Sequence, residues 1–118
     1  MERKSIVGDK SFDFALKIID LYFQLKKDNE YVISKQVLRS GTSIGANIEE
    51  ALAGFSDKDF GFKMSISSKE ARETRYWLRL LSASPHFDID LKPQLEDCDE
   101  LIRMLTAIVK TTQTKNKS

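Results

Sequence analysis

Apolar residues recur at intervals of three and four in four separate stretches of the chain, the spacing that lines one face of an α-helix. The first stretch runs from about Ser11 to Lys27 and closes in the polar turn Lys27-Asp28-Asn29-Glu30. The second begins at Tyr31 or Ser34 and reaches Phe55. Asp57 reads as the N-cap of the third, because a carboxylate there accepts hydrogen bonds from free first-turn amides, and this helix continues to about Ser82. The only two prolines, Pro85 and Pro93, mark the turn that follows. Asp90 then caps a fourth helix that tolerates Pro93 in its first turn and runs to about Thr112, leaving a polar end, Gln113 to Ser118, that frays. Short connections make successive helices antiparallel. The pattern therefore predicts an all-α, up-down-up-down four-helix bundle, with residues 1–118 as a single domain.

A helix that faces only its own core needs an apolar stripe a little over ~100° wide. The fourth helix conforms: Leu91, Leu95, Cys98, Leu101, Ile102, Leu105, Ile108 and Val109 share one side. The first carries Phe14, Ala15, Ile18, Leu21, Tyr22 and Leu25 on one face and Phe12, Leu16, Ile19 and Phe23 on a second, a combined arc of roughly 200°. The third is as broad, with Phe62, Ile66, Trp77 and Leu80 extended by Phe60, Met64, Ala71, Leu78 and Leu81. Apolar surface beyond what one bundle can cover marks an interface, so the pattern predicts a homo-oligomer. The plainer alternative is a monomer in which loops cover the excess.

The second helix is expected to bury Ile33, Val37, Ile44, Ile48, Ala51 and Phe55, with Gln36, Ser40, Ser43, Asn47, Glu50 and Gly54 along one edge. Gly41 and Gly45, on the other edge, each cost up to ~1 kcal/mol of helix propensity relative to Ala, which points to a neighbouring backbone close by. Glu73 falls within the Phe62/Ile66/Trp77/Leu80 face of the third helix, where an ionised carboxylate needs partners. Arg39, Ser40, Ser43 and Asn47 can supply donors, so a buried polar network of Arg39, Ser40, Ser43, Asn47, Glu50 and Glu73 is expected to fix the register of the two helices. General acid/base work by Glu50 and Glu73 is the competing reading, unsupported by any histidine or metal-ligand spacing.

Composition narrows the function classes. Among 118 residues there are 19 Lys and Arg against 18 Asp and Glu, a formal charge of +1, which argues against a generic nucleic-acid coat while leaving room for a local basic stripe. The longest charge-free stretch, between Arg39 and Glu49, is far short of the ~18 residues a membrane span needs. One cysteine excludes a disulfide framework and, with no apolar leader in MERKSIVGDK, points to the cytoplasm.

The segment Arg39-Ser40-Gly41-Thr42-Ser43-Ile44-Gly45-Ala46-Asn47-Ile48-Glu49-Glu50, then Asp59-Phe60, then Lys69-Glu70-Ala71-Arg72-Glu73-Thr74-Arg75-Tyr76-Trp77-Leu78-Arg79-Leu80-Leu81, resembles the four-helix bundle proteins named for reading frames within intervening sequences of 23S ribosomal RNA genes. These are bacterial proteins, and the resemblance spans nearly the whole chain. It implies antiparallel bundles assembled into cyclic pentamers. A related branch, the accessory proteins of diversity-generating retroelements, forms barrel-shaped pentamers that bind RNA and DNA beside a reverse transcriptase. By analogy the chain is expected to be a nucleic-acid-associated oligomer without catalytic activity. It departs from the pattern at Ala51, where many members have glycine, and in being much less basic than the retroelement branch.

Lys58, Lys69, Arg72 and Arg79 lie near one edge of the third helix with Tyr76 between them, and Arg75 points further outward. Such an edge can meet phosphates and stack a base, and repetition around a ring would add avidity. The plainer reading is a solvated face with intrahelical pairs such as Lys69 with Glu73 or Arg72 with Tyr76. A protein partner without nucleic acid is the other class of function. Arg79 and His86 fit the short R-x(4-6)-H pattern of helical ribonucleases, but Pro85 falls inside it, so this is a remote alternative. Gly41 to Gly45 lacks the lysine of a phosphate-binding loop. Cys98 sits on the core face and is expected to pack rather than react. No catalytic residue, metal site or cofactor is expected.

Overall fold

The computed structural model describes residues 5–116. Four helices follow one another, α1 (Ile6–Lys27), α2 (Ile33–Leu52), α3 (Asp57–Ala83) and α4 (Lys92–Asn116), with no strand among the described residues. Each sequential pair packs together and α4 returns to α1, whereas the diagonal pairs α1/α3 and α2/α4 bring no Cα atoms within 8 Å of each other. The helices thus occupy the corners of a square. Their directions follow from contacts that run in opposite senses. Ile18 and Ser11 of α1 meet Gly41 and Gly45 of α2, Ser40 and Ile44 meet Thr74 and Ser67 of α3, and Asp57 and Arg75 meet Lys115 and Asp99 of α4. Lys10 and Lys17 reach Glu100 and Asp97, closing the square. The bundle is antiparallel throughout and 50 Å long.

The ends are set by caps that the apolar pattern did not locate. Ser5 caps α1 by accepting from the Gly8 amide at 3.0 Å, so the helix starts five residues before Ser11. Ser11 instead turns its hydroxyl onto the Gly8 carbonyl at 2.8 Å and is buried against α2. Ser56, not Asp57, caps α3, taking the Asp59 amide at 3.1 Å and leaving Asp57 in the first turn, where its charge suits the helix dipole. Asp90 accepts from the Lys92 amide at 3.0 Å, a side-chain turn one residue ahead of Leu91, whose carbonyl takes the first bond of α4, so the expected Asp90 cap falls one residue short of the cap position. That helix continues past Thr112, with Thr112 and Thr114 bonding back to carbonyls four residues earlier. Residues 117 and 118, part of the expected frayed end, lie outside the described residues.

The entry to α2 is built differently. Asn29 adopts the left-handed conformation, φ 65°, which its short polar side chain tolerates, and this turns the chain back on itself. Glu30 then accepts from the amides of Val32, Ile33 and Ser34 at 3.0, 2.8 and 2.6 Å. Burial pushes its carboxyl up, but those backbone amides and the Ser34 side chain outweigh it and hold the group below its ordinary value.

The core consists of residues such as Phe14, Ile18, Leu21, Val37, Ile44, Ile48, Leu78, Leu81, Leu101 and Leu105, all at most 1% exposed. Gly41 is needed where α1 crosses α2: a Cβ there would lie 2.9 Å from Ile18 Cγ2, so the close neighbour is a side chain rather than backbone. Phe55, expected in the core, is instead fully exposed at the α2–α3 turn, because α2 stops at Leu52. On α3 the inward side is Gly61, Met64, Ser67, Ala71, Thr74, Leu78 and Leu81. Small residues win that side because the helices pack closely there and their hydroxyls find partners. The Phe62/Ile66/Trp77/Leu80 face is consequently an outer flank.

Candidate interaction surfaces

The apolar excess of α1 survives folding. Phe12, Leu16, Ile19 and Phe23 stay exposed, Phe12 at 63% and Phe23 at 56%, while Phe14, Ile18, Leu21 and Leu25 fill the core. Their spacing of four, three and four residues keeps them in one row, as in a coiled-coil seam. On α3, Phe62 and Tyr76 are 64% and 51% exposed, Leu80 is exposed, and Ile66 and Trp77 are half-buried beside them. Both rows are side chains of the kind that elsewhere in this bundle form the interior.

Of the residues expected in a polar network, the structure brings some together at the α2–α3 surface. Arg39 bridges Glu70 and Glu73, and Glu73 also accepts from Trp77 Nε1 at 2.9 Å. Arg39 is exposed and Glu73 only half-buried, so this cluster sits at the rim of the bundle. Ser40 goes deeper: its hydroxyl is fully buried, 2.8 Å from Thr74 Oγ1, which lies 2.7 Å from the Glu70 carbonyl. A hydroxyl carries one proton, so Thr74 donates to one of these oxygens and Ser40 donates into Thr74 if that proton goes to the carbonyl. Ser43 and Asn47 do not join; they donate to the carbonyls of Arg39 and Ser43. Glu50 pairs with Lys63 at 3.0 Å, one end of a second α2–α3 bridge. Sequence reasoning missed Ser67 and Thr74, although hydroxyl residues at helical spacing among apolar ones are the signal for interhelical bonds. Ser67 donates to the Ile44 carbonyl at 2.8 Å.

The basic edge of α3 divides in two. Arg72 donates to Thr106 Oγ1 at 3.0 Å and Arg75 pairs with Asp99 at 2.7 Å, both held against α4. Lys58, Lys69 and Arg79 are exposed and form no ion pair among the described residues. Tyr76 shares that side of the helix between Lys69 and Arg79, its ring edge-on to Trp77 with centroids 5.3 Å apart, while Lys58 lies about 27 Å further along the axis. Neither expected intrahelical pair forms, since Glu73 is taken by Arg39 and Trp77. On α1, Asp9, Asp13 and Asp20 are likewise exposed and outside every ion pair of the described residues.

Residues 3–107, a stretch that ends in the middle of α4, match the 23S rRNA-intervening sequence protein family. The chain belongs to that family. Among solved structures, a protein of unknown function of the S23 ribosomal protein family from Bacteroides thetaiotaomicron is 45% identical, with a TM-score of 0.83 over 89% of this chain and 99% of that one. No curated protein matches.

Within this intervening-sequence family member, nothing in the geometry of the described residues indicates catalysis. His86 is exposed in the turn after α3, its backbone amide donating to Ser84 Oγ at 3.3 Å. Cys98 is buried, its thiol donating to the Ala71 carbonyl at 3.3 Å, and burial first, then Asp99, pushes it up to about 12. No group of His, Cys, Asp and Glu among the described residues could hold a metal ion. No helix among them is long and apolar enough to cross a membrane. A cleft of about 600 Å³ at one end of the bundle is lined by Ala51, Phe55, Asp57, Phe60, Thr111 and Lys115 among others, with Asp57 and Lys115 paired at 3.0 Å on its wall.

Proposed function

We propose that this protein is a non-catalytic, self-associating helical bundle, a ring of five as the family resemblance implies, that serves as a binding platform. The row Phe12, Leu16, Ile19 and Phe23 carries the reading, because four large apolar side chains in line on a helix otherwise remain in water. Sedimentation or light scattering tests it: the assembly is expected well above the 13.5 kDa of one chain, and Leu16→Asp should return it to that mass with its helicity intact. A compact 13.5 kDa species at every concentration refutes it.

A second reading is favoured by Lys58, Lys69 and Arg79, exposed along one side of α3 with Tyr76 between the last two: the platform binds the phosphate backbone of RNA or DNA. Retention should fall log-linearly with salt, and Lys69→Ala with Arg79→Ala should flatten the slope. No retention at low salt leaves a protein partner as the ligand of the platform.

A further inference from the structure

Between α3 and α4 runs a groove of about 410 Å³ lined by Arg72, Arg75, Asp99, Ile102 and Arg103, a set that no single helix supplies. Arg72 and Arg75 stand one turn apart on α3, yet their contacts on α4, Thr106 and Asp99, lie about 10 Å apart along that helix. The two side chains therefore reach in opposite directions along the groove and leave a gap between their ends. Half-buried Ile102 and exposed Arg103 fall within that span of α4. A guanidinium presents five N–H donors in a planar fork, and here most of them are unused. Arg75 commits only Nε, to Asp99 at 2.7 Å, and Arg72 one terminal nitrogen, to Thr106 at 3.0 Å. Arg103 forms no ion pair among the described residues. Three guanidiniums thus line the groove with one carboxylate, an excess of two positive charges.

We infer that this groove binds a terminal phosphate group, a phosphomonoester or diphosphate that brings about two negative charges. Guanidinium forks pair bidentately with phosphate oxygens, and a terminal phosphate offers three peripheral oxygens that several forks can share. Its charge also matches the excess on the lining, which relieves the repulsion among three neighbouring cations. A phosphodiester inside a nucleic-acid strand or a single carboxylate brings only one charge, and neither balances the cluster. Asp99 serves as a positioning residue: it holds Arg75 by Nε and leaves both terminal nitrogens for the ligand. Neither Lys58, Lys69 and Arg79 nor the exposed apolar rows line this groove, so the site does not depend on the functions proposed above.

Titration calorimetry in phosphate-free buffer tests the site, with inorganic pyrophosphate and ADP as probes and adenosine as the uncharged reference. Saturable binding of pyrophosphate is expected, weakened about tenfold or more by Arg103→Ala, with none of adenosine. Arg103 is exposed, so its replacement keeps the fold. Arg75→Lys, which keeps the charge and loses the fork, should also weaken binding. Lys35→Ala removes the same charge from an exposed position on α2 and should leave the affinity unchanged. ADP bound as tightly as pyrophosphate makes a phosphate ester the ligand; pyrophosphate alone makes it the free anion. Three results would overturn the inference: heats that do not saturate, a loss in Lys35→Ala equal to that in Arg103→Ala, or equally tight binding of a short RNA with a 5′-hydroxyl, which holds phosphodiesters only.

Discussion

Glu30 holds the start of α2 without belonging to it, and its removal tests how local the stability of this bundle is. Its carboxylate accepts from three backbone amides, the shortest at 2.6 Å, and its carbonyl accepts from the Ser34 hydroxyl at 3.0 Å. Losing an N-cap side chain costs about 0.5–2 kcal/mol. Here the acceptor is ionised, 9% exposed and aimed at the positive end of a helix dipole, so Glu30→Ala belongs at the upper end, about 2 kcal/mol. With a urea m-value of about 1–3 kcal/mol/M, the midpoint should fall by about 1 M. The comparison is best made at one protein concentration in a Leu16→Asp background, since association adds to apparent stability. The pH dependence has a definite sign. The folded carboxyl lies below its ordinary 4.5, so its stabilisation is complete above that value and is lost as pH falls through the folded value. The gap between the parent and Glu30→Ala should therefore shrink in acid. Equal midpoints at neutral pH, or a gap that widens as pH falls, would refute the assignment.

Gly41→Ala should lower the melting temperature, because its Cβ would fall 2.9 and 3.0 Å from the γ carbons of fully buried, β-branched Ile18, and overpacking of about 1–3 kcal/mol exceeds a helix-propensity gain of at most ~1. Stabilisation by that change would show that α1 can move aside. Thr74→Val removes the hydroxyl that links Ser40 to the Glu70 carbonyl and should cost about 1–3 kcal/mol by urea titration; a neutral result would mean the buried Ser40 finds another acceptor. Cys98 should resist iodoacetamide at pH 8 in the folded protein and react quickly in urea, since its thiol stays protonated near neutrality. Rapid native labelling would contradict its burial.

The expected four helices, their antiparallel order and the contents of α4 were legible because a 3.6-residue pattern survives whatever partner covers it. So was the apolar surplus of α1, since Phe12, Leu16, Ile19 and Phe23 cannot share a narrow stripe with Phe14 and Ile18. Caps were less legible. Ser5, Glu30 and Ser56 act through backbone amides two to four residues away, and chain statistics assign that work as readily to Ser11 or Asp57. The candidate site was legible as residue types only: Lys69 and Arg72 read alike, yet one remains exposed without an ion pair and the other bonds Thr106 on α4.

By itself, then, the amino-acid order determined how many helices form and how much apolar surface each must hide. Tertiary packing decided which part of that surface goes inside. On α3 two sides competed, one with Phe62, Ile66, Trp77 and Leu80 and one with Ser67, Ala71, Thr74 and Leu78, and the smaller side chains went inward. Close approach of α2, with hydroxyls able to bond Ile44 and Ser40 across the gap, favours them there, and the larger residues are left on the outer side of the helix.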